Sequence, residues 1–151
     1  MNNKYYTVCG IVEIEGKVLL VRHTYGNAKD RILLPGGFVQ ENELPTAAVE
    51  REILEETGVT AKAKSIIAMQ FKPEQWCVVF VMKYISGTPK SDGLENNEVL
   101  LFTPEEAVKR NDITNMSREI LKAYIAKHSE LSKSGYVPNS ANKDNYVIFG
   151  V

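Results

Sequence analysis

Gly37-Phe38-Val39-Gln40-Glu41-Asn42-Glu43, then seven residues, then Arg51-Glu52-Ile53-Leu54-Glu55-Glu56-Thr57-Gly58-Val59, is the stretch from which the rest of the chain is read. Pro45 and Gly58 bracket a helix, with proline in the first turn and glycine just past the last. At about 100° per residue, Glu52, Glu55 and Glu56 fall within an arc of about 100° on one face, and Glu50 projects to the opposite side. Carboxylates stacked at i, i+3 and i+4 repel one another by roughly a few tenths of a kcal/mol per pair. An isolated helix gains no stability from that arrangement. A hard divalent cation turns the repulsion into ligation, because Mg²⁺ seeks oxygen donors. Gly36-Gly37 reads as a sharp backbone turn exposing a carbonyl beside the acidic face. Glu43 and Arg51, opposite in charge, can pin the loop to the helix start. A solvated acidic face is the bland alternative, and it leaves the whole pattern accidental.

Around this segment the chain alternates. Residues 5–14 are β-rich, and Glu15-Gly16 supplies a turn before Lys17-Val18-Leu19-Leu20-Val21, so the pair reads as a hairpin. A polar loop at 25–31 leads into Ile32-Leu33-Leu34, and strand-like runs follow the helix near 62–71, 76–86 and 98–103. Thr103-Pro104-Glu105-Glu106 has the form of a capping box, which explains that acidic pair better than a metal does. Ile120, Leu121, Tyr124, Ile125 and Leu131 give an amphipathic helix over 116–131. The order predicts an α/β fold, a mixed sheet packed between helices. Residues 1–131 read as one domain. Residues 132–151 read as a polar tail whose apolar close, Tyr146-Val147-Ile148-Phe149, is placed as a docked edge strand or a frayed end.

Composition bounds the rest. The chain has 151 residues, 18 Lys+Arg against 19 Asp+Glu, and 44% hydrophobic residues, an ordinary globular usage. A net charge of −1 gives no global field for holding nucleic acid, so no nucleic-acid partner is expected. The apolar runs are far short of the ~20 residues a membrane helix needs, and the amino terminus lacks a signal peptide's apolar core. The expected location is cytoplasmic, with Cys9 and Cys77 reduced and structural. Trp76 reads as rim packing ahead of base stacking, His23 as structural, and His128 as surface.

Residues 37–59 resemble a complete Nudix box: Gly, five residues, Glu, seven residues, then Arg-Glu-aliphatic-any-Glu-Glu-any-Gly-aliphatic. With seven fixed positions at ~5–7% each, chance agreement is roughly one in a billion per window. Leu34-Pro35-Gly36-Gly37 resembles the family's approach to the box, and residues 98–106 its late strand and short helix. The resemblance implies an α/β/α sandwich that hydrolyses a nucleoside diphosphate linked to another moiety, such as a nucleoside triphosphate, ADP-ribose or a nucleotide-sugar. It implies Mg²⁺ or Mn²⁺ held by Glu52, Glu55, Glu56 and the Gly36 carbonyl, and in-line attack of metal-activated water.

Carried onto matching positions, Gly37, Glu43 and Arg51 support the site. Glu98 is the candidate late carboxylate, as general base or further metal ligand, with Glu95 as its rival. Arg22 on a strand and Arg31 on a loop can reach substrate phosphates; for them, and for Lys29, plain solvated charge is the competing reading. Ile32 and Leu101 stand where the family often has tryptophan, so base recognition is not carried over. The family is compatible with a homodimer. A nucleotide-binding sensor without catalysis is the alternative function, and such domains are expected to lose a box carboxylate, which this chain keeps.

Overall fold

Successive side chains of a strand leave on opposite sides, and in β1 (Tyr5–Ile11) both sides end buried: Val8 enters one apolar cluster and Ile11 another. The split repeats in β3 (Lys17–His23), where Leu19 joins Val8 while Val18 and Leu20 join Ile11. It repeats again in β7 (Gln75–Ser86), with Phe80 and Met82 on one side and Cys77 and Val79 on the other. Strands buried on both faces need a covering layer on each. Val49 and Ile53 of α1 (Pro45–Thr57) complete the first cluster. Ala107 of α2 (Pro104–Val108) and Ile120 and Leu121 of α3 (Asn115–Ile125) complete the second. The architecture is the predicted α/β arrangement, helices on both faces of the strands.

The computed structural model describes residues 4–94, 96–139 and 144–151, and of Asn97 the backbone only. One sheet runs in the order β5 (Gly36–Phe38), β1, β7, β6 (Thr60–Phe71) and β9 (Leu131–Ser132). It is mixed, because β1 and β7 are parallel, with Thr7 opposite Cys77 and Cys9 opposite Val79, while its other pairs are antiparallel. In a second, antiparallel sheet β3 pairs with β2 (Glu13–Ile14) and β4 (Ile32–Leu33), and also with β8 (Asn96–Phe102). Two neighbour relations follow. The β1–β5 pairing sets Gly36 beside Cys9, and the β3–β8 pairing sets Arg22 beside Glu98.

Two elements differ from the sequence reading. The predicted hairpin shrinks to β2 and β3, turned by Glu15 and Gly16 at φ 51° and 80°; β1 itself passes into the other sheet. The last helix ends at Ile125 rather than 131, because Lys127 adopts φ 55° and its N–H closes onto the Tyr124 carbonyl. Leu131, assigned to the helix stripe, instead opens β9 and pairs with Ile66. Lys133 bridges to Phe149, whose ring lies 5.7 Å from that of Phe80. No helix among the described residues is long and apolar enough to cross a membrane.

Candidate active site

Gly36 and Gly37 do not make the turn expected of them. Both lie in strand β5, and neither has positive φ. Their missing side chains serve close approach instead. A Cβ on Gly36 would sit 2.0 Å from the Val8 carbonyl oxygen and 2.7 Å from the Cys9 Cα. A Cβ on Gly37 would sit 2.4 Å from Cδ of Glu52, so the Glu52 carboxylate occupies the space a side chain would fill. Asn42, just before Glu43, takes φ 61°, a conformation asparagine tolerates better than most residues.

Arg51 is the hub of the loop–helix junction. Its Nε and Nη2 donate to the two carboxylate oxygens of Glu43 at 2.7 and 2.9 Å, a bidentate pair, and Nη2 also donates to the Phe38 carbonyl at 3.0 Å. Its Nη1 donates to Glu52 at 2.8 Å and to Glu55 at 3.2 Å. The guanidinium holds the Glu43 carboxyl below its ordinary range, and the Gln40 N–H adds to that. Glu43, together with the Glu52 carboxylate, in turn pushes the Arg51 pKa up. The sequence spacing pointed to the Glu43–Arg51 pair; the two further carboxylates on the same guanidinium were not anticipated.

Glu56 is only 2% exposed, and its Oε2 accepts the Gly36 N–H at 3.4 Å. The box residues Gly36, Gly37, Glu43, Arg51, Glu52, Glu55 and Glu56 are therefore brought together. The donor set, carboxylate oxygens beside a glycine backbone, suits a hard cation such as Mg²⁺ or Mn²⁺. Among the described residues no three carboxylates, histidines or cysteines converge on one point. Glu52 and Glu55 each give Arg51 one carboxylate oxygen, at 2.8 and 3.2 Å.

The remaining predicted site residues group elsewhere. Arg22 donates to Asp112 at 3.1 Å and to the Asp30 carbonyl at 2.9 Å, and its Nε lies 3.6 Å from Glu98. Glu98 keeps about half its side chain, 49%, in solvent. Arg31 donates to the Ile113 carbonyl at 3.2 Å. Glu95 lies outside the described residues. Asp112, unnoticed in the sequence, is the anchor here: the Arg110 guanidinium first, then Arg22, lowers its carboxyl from 3.8 to about 2. A depressed carboxyl stabilises the fold above its unfolded pKa and loses that contribution as pH falls through the folded value. Asp112→Asn is thus expected to cost about 1 kcal/mol near neutrality and to flatten the acid limb of a thermal-midpoint profile between pH 3.8 and about 2. Parallel acid limbs for variant and wild type would refute it.

A cavity of about 250 Å³ opens beside the two glycines, lined in part by Thr7, Cys9, His23, Gln75 and Cys77. Both cysteines are free. The Cys9 thiol, then the Thr7 hydroxyl and the Lys72 charge, pull Cys77 down to about 7. His23 stacks on Tyr25 with rings 5.9 Å apart. Trp76 meets Tyr6 and Phe71 edge-on, with Lys4 Nζ over its ring at 5.3 Å, and is 42% exposed at the rim of a second cavity.

With this geometry in place, the comparisons with known proteins are direct. The NUDIX domain profile matches residues 3–124. The chain belongs to the NUDIX hydrolase family. It is 33% identical over 117 residues to an ADP-ribose pyrophosphatase of Methanocaldococcus jannaschii, an alignment covering 68% of this chain and 69% of that one. It is 36% identical over 76 residues to phosphatase NudJ of Escherichia coli, covering 50% of this chain and 46% of NudJ, about half of that relative's length. Among solved structures, a NUDIX hydrolase of Nitrosomonas europaea superposes with a TM-score of 0.76 at 29% identity, covering 85% of this chain and 73% of that one. A NUDIX hydrolase acts on phosphoric anhydride bonds of nucleotide derivatives, and the box described above lies wholly inside the matched region.

Proposed function

We propose that this NUDIX hydrolase cleaves the diphosphate linkage of a nucleoside diphosphate derivative with Mg²⁺ or Mn²⁺ held by Glu52, Glu55, Glu56 and the Gly36 carbonyl. The observation that carries this reading is the fit of the Glu52 carboxylate against Gly37, which keeps an acidic helix face in contact with a bare backbone edge. A divalent ion bound there supplies charge to phosphate oxygens and makes water a stronger nucleophile. The chain's own contributions are separable. Arg51 and Glu43 hold the loop on the helix, and Glu56, shielded from solvent, sets its carboxyl beside the Gly36 backbone. Glu98 is the base candidate, since it is half exposed and held to Arg22 by a pair of 3.6 Å. Arg22 and Arg31 are proposed to meet substrate phosphates at the rim. The cavity beside Gly36 and Gly37 is the proposed seat for the nucleoside. The domain is proposed to be residues 1–131, with 132–151 as its appendage.

ADP-ribose stands first in the substrate panel, because the Methanocaldococcus jannaschii relative carries that name. Nucleoside triphosphates and nucleotide-sugars complete it. The test is product analysis by ³¹P NMR and chromatography after incubation with Mg²⁺ or Mn²⁺. Release of a nucleoside monophosphate from one panel member, abolished by chelation, is the expected result. Tight nucleotide binding by calorimetry with no product from any member would replace this reading with the sensor.

A further inference from the structure

We propose that Asn96 is a positioning residue that fixes the last turn of α1, and so Glu56, against strand β8. The inference rests on the metal-dependent reading above and extends it to a residue outside the box. Asn96 opens β8 and is 1% exposed. Its Nδ2 donates to the backbone carbonyl of Glu56 at 3.0 Å, across 40 positions of sequence. The final carbonyls of a helix have no partner within it. Here β8 and the loop before it supply two: Asn96 for Glu56, and the Lys90 N–H for Thr57 at 2.8 Å.

Asn96 is itself held from behind. Its N–H donates to Asp92 Oδ1 at 3.3 Å, its carbonyl accepts from Ser91 Oγ at 2.9 Å, and Asp92 Oδ1 also accepts the Leu94 N–H at 2.8 Å. The side-chain oxygen Oδ1, by contrast, is buried without a partner among the described residues. A buried acceptor left unmatched is destabilising. Packing alone would therefore favour a hydrocarbon of the same size, and the amide is accounted for by its grip on the Glu56 carbonyl. That grip matters because the Glu56 carboxylate reaches the Gly36 N–H at 3.4 Å from the same backbone turn that Asn96 holds. Two residues further along the same strand stands Glu98, so one amide ties the box carboxylates to the strand of the base candidate.

The test compares wild type, Asn96→Leu and Asp92→Ala. Asn96→Leu keeps the branching at Cγ, at a larger volume, and removes the donor; Asp92→Ala loosens the segment from the surface and stays informative if the first variant fails to fold. Mn²⁺ affinity is read from the free-ion electron paramagnetic resonance signal, alongside kcat, KM and thermal midpoint. Groups that orient metal ligands typically change affinity or activity by about 10–100-fold on removal. Asn96→Leu is expected to weaken Mn²⁺ binding and lower kcat by roughly tenfold or more with KM little changed, and Asp92→Ala to move both the same way by less. A lowered midpoint with wild-type Mn²⁺ affinity and kcat would reduce Asn96 to a structural cap and overturn the proposal. Wild-type protein that binds no Mn²⁺ would instead overturn the metal-dependent reading on which it rests.

Discussion

Glu56→Gln is expected to lower kcat by roughly 10²–10³-fold while the protein keeps its fold, because a carboxylate in the proposed metal site would be worth several kcal/mol of transition-state charge stabilisation. Glutamine has the same shape, and its amide oxygen can still accept the Gly36 N–H that Glu56 accepts now. What disappears is the negative charge an ionised Glu56 would carry, in a position almost wholly out of water. Burying that charge is costly in the absence of a cation, so the thermal midpoint of Glu56→Gln in chelator should match or exceed that of wild type. In Mg²⁺ well above the wild-type Kd the order should reverse, since wild type binds the ion more tightly and gains more from it. Wild-type turnover by the variant at saturating Mg²⁺ would remove Glu56 from the metal site.

Gly36→Ala and Gly37→Ala are expected to fail in different ways, although the two glycines are adjacent. The Gly36 Cβ would meet backbone atoms of β1, the Val8 oxygen at 2.0 Å and the Cys9 Cα at 2.7 Å. No rotamer relieves a contact with a hydrogen-bonded neighbouring strand, so Gly36→Ala should lose about 3 kcal/mol or more. For a chain of this size that is a fall in thermal midpoint of about 6–12 °C. The three atoms nearest a Gly37 Cβ, at 2.4–2.6 Å, all belong to the carboxyl end of Glu52, and that end can swing away. Gly37→Ala should therefore melt close to wild type and lose roughly tenfold or more in activity and Mn²⁺ affinity. Equal stability losses in the two variants would show that Gly37, too, is held by backbone packing rather than by the Glu52 carboxylate.

Much of the site was readable before any coordinates because it is local. Glu52, Glu55 and Glu56 share a face by helical periodicity alone, and the end of their helix is written in Pro45 and Gly58, the latter at φ 73°. The capping box at Thr103 and Glu106 is equally local, and both of its hydrogen bonds are present. The partners of Arg22 were out of reach for the opposite reason. Asp112 is 90 positions away, and only the meeting of the β4 and α3 ends brings it close. Asn96 gave no signal at all, since an asparagine after a glycine-rich loop reads as a turn residue until its amide is seen on the Glu56 carbonyl.

The sequence by itself determined the family, the helix and the acidic face, since each depends on spacings of a few residues along one chain segment. Tertiary structure alone decided what lies against that face. Gly36 and Gly37 are sites of close approach because β5 pairs with β1, not because the chain turns there. Arg51 gathers Glu52 and Glu55 as well as Glu43 because a guanidinium has donors enough for all three once the loop folds over it. Cys9 and Cys77, 68 positions apart, share one cavity wall through the parallel register of β1 and β7. Register between distant strands comes from the burial of both sheet faces at once, a property of the whole core that no single segment carries.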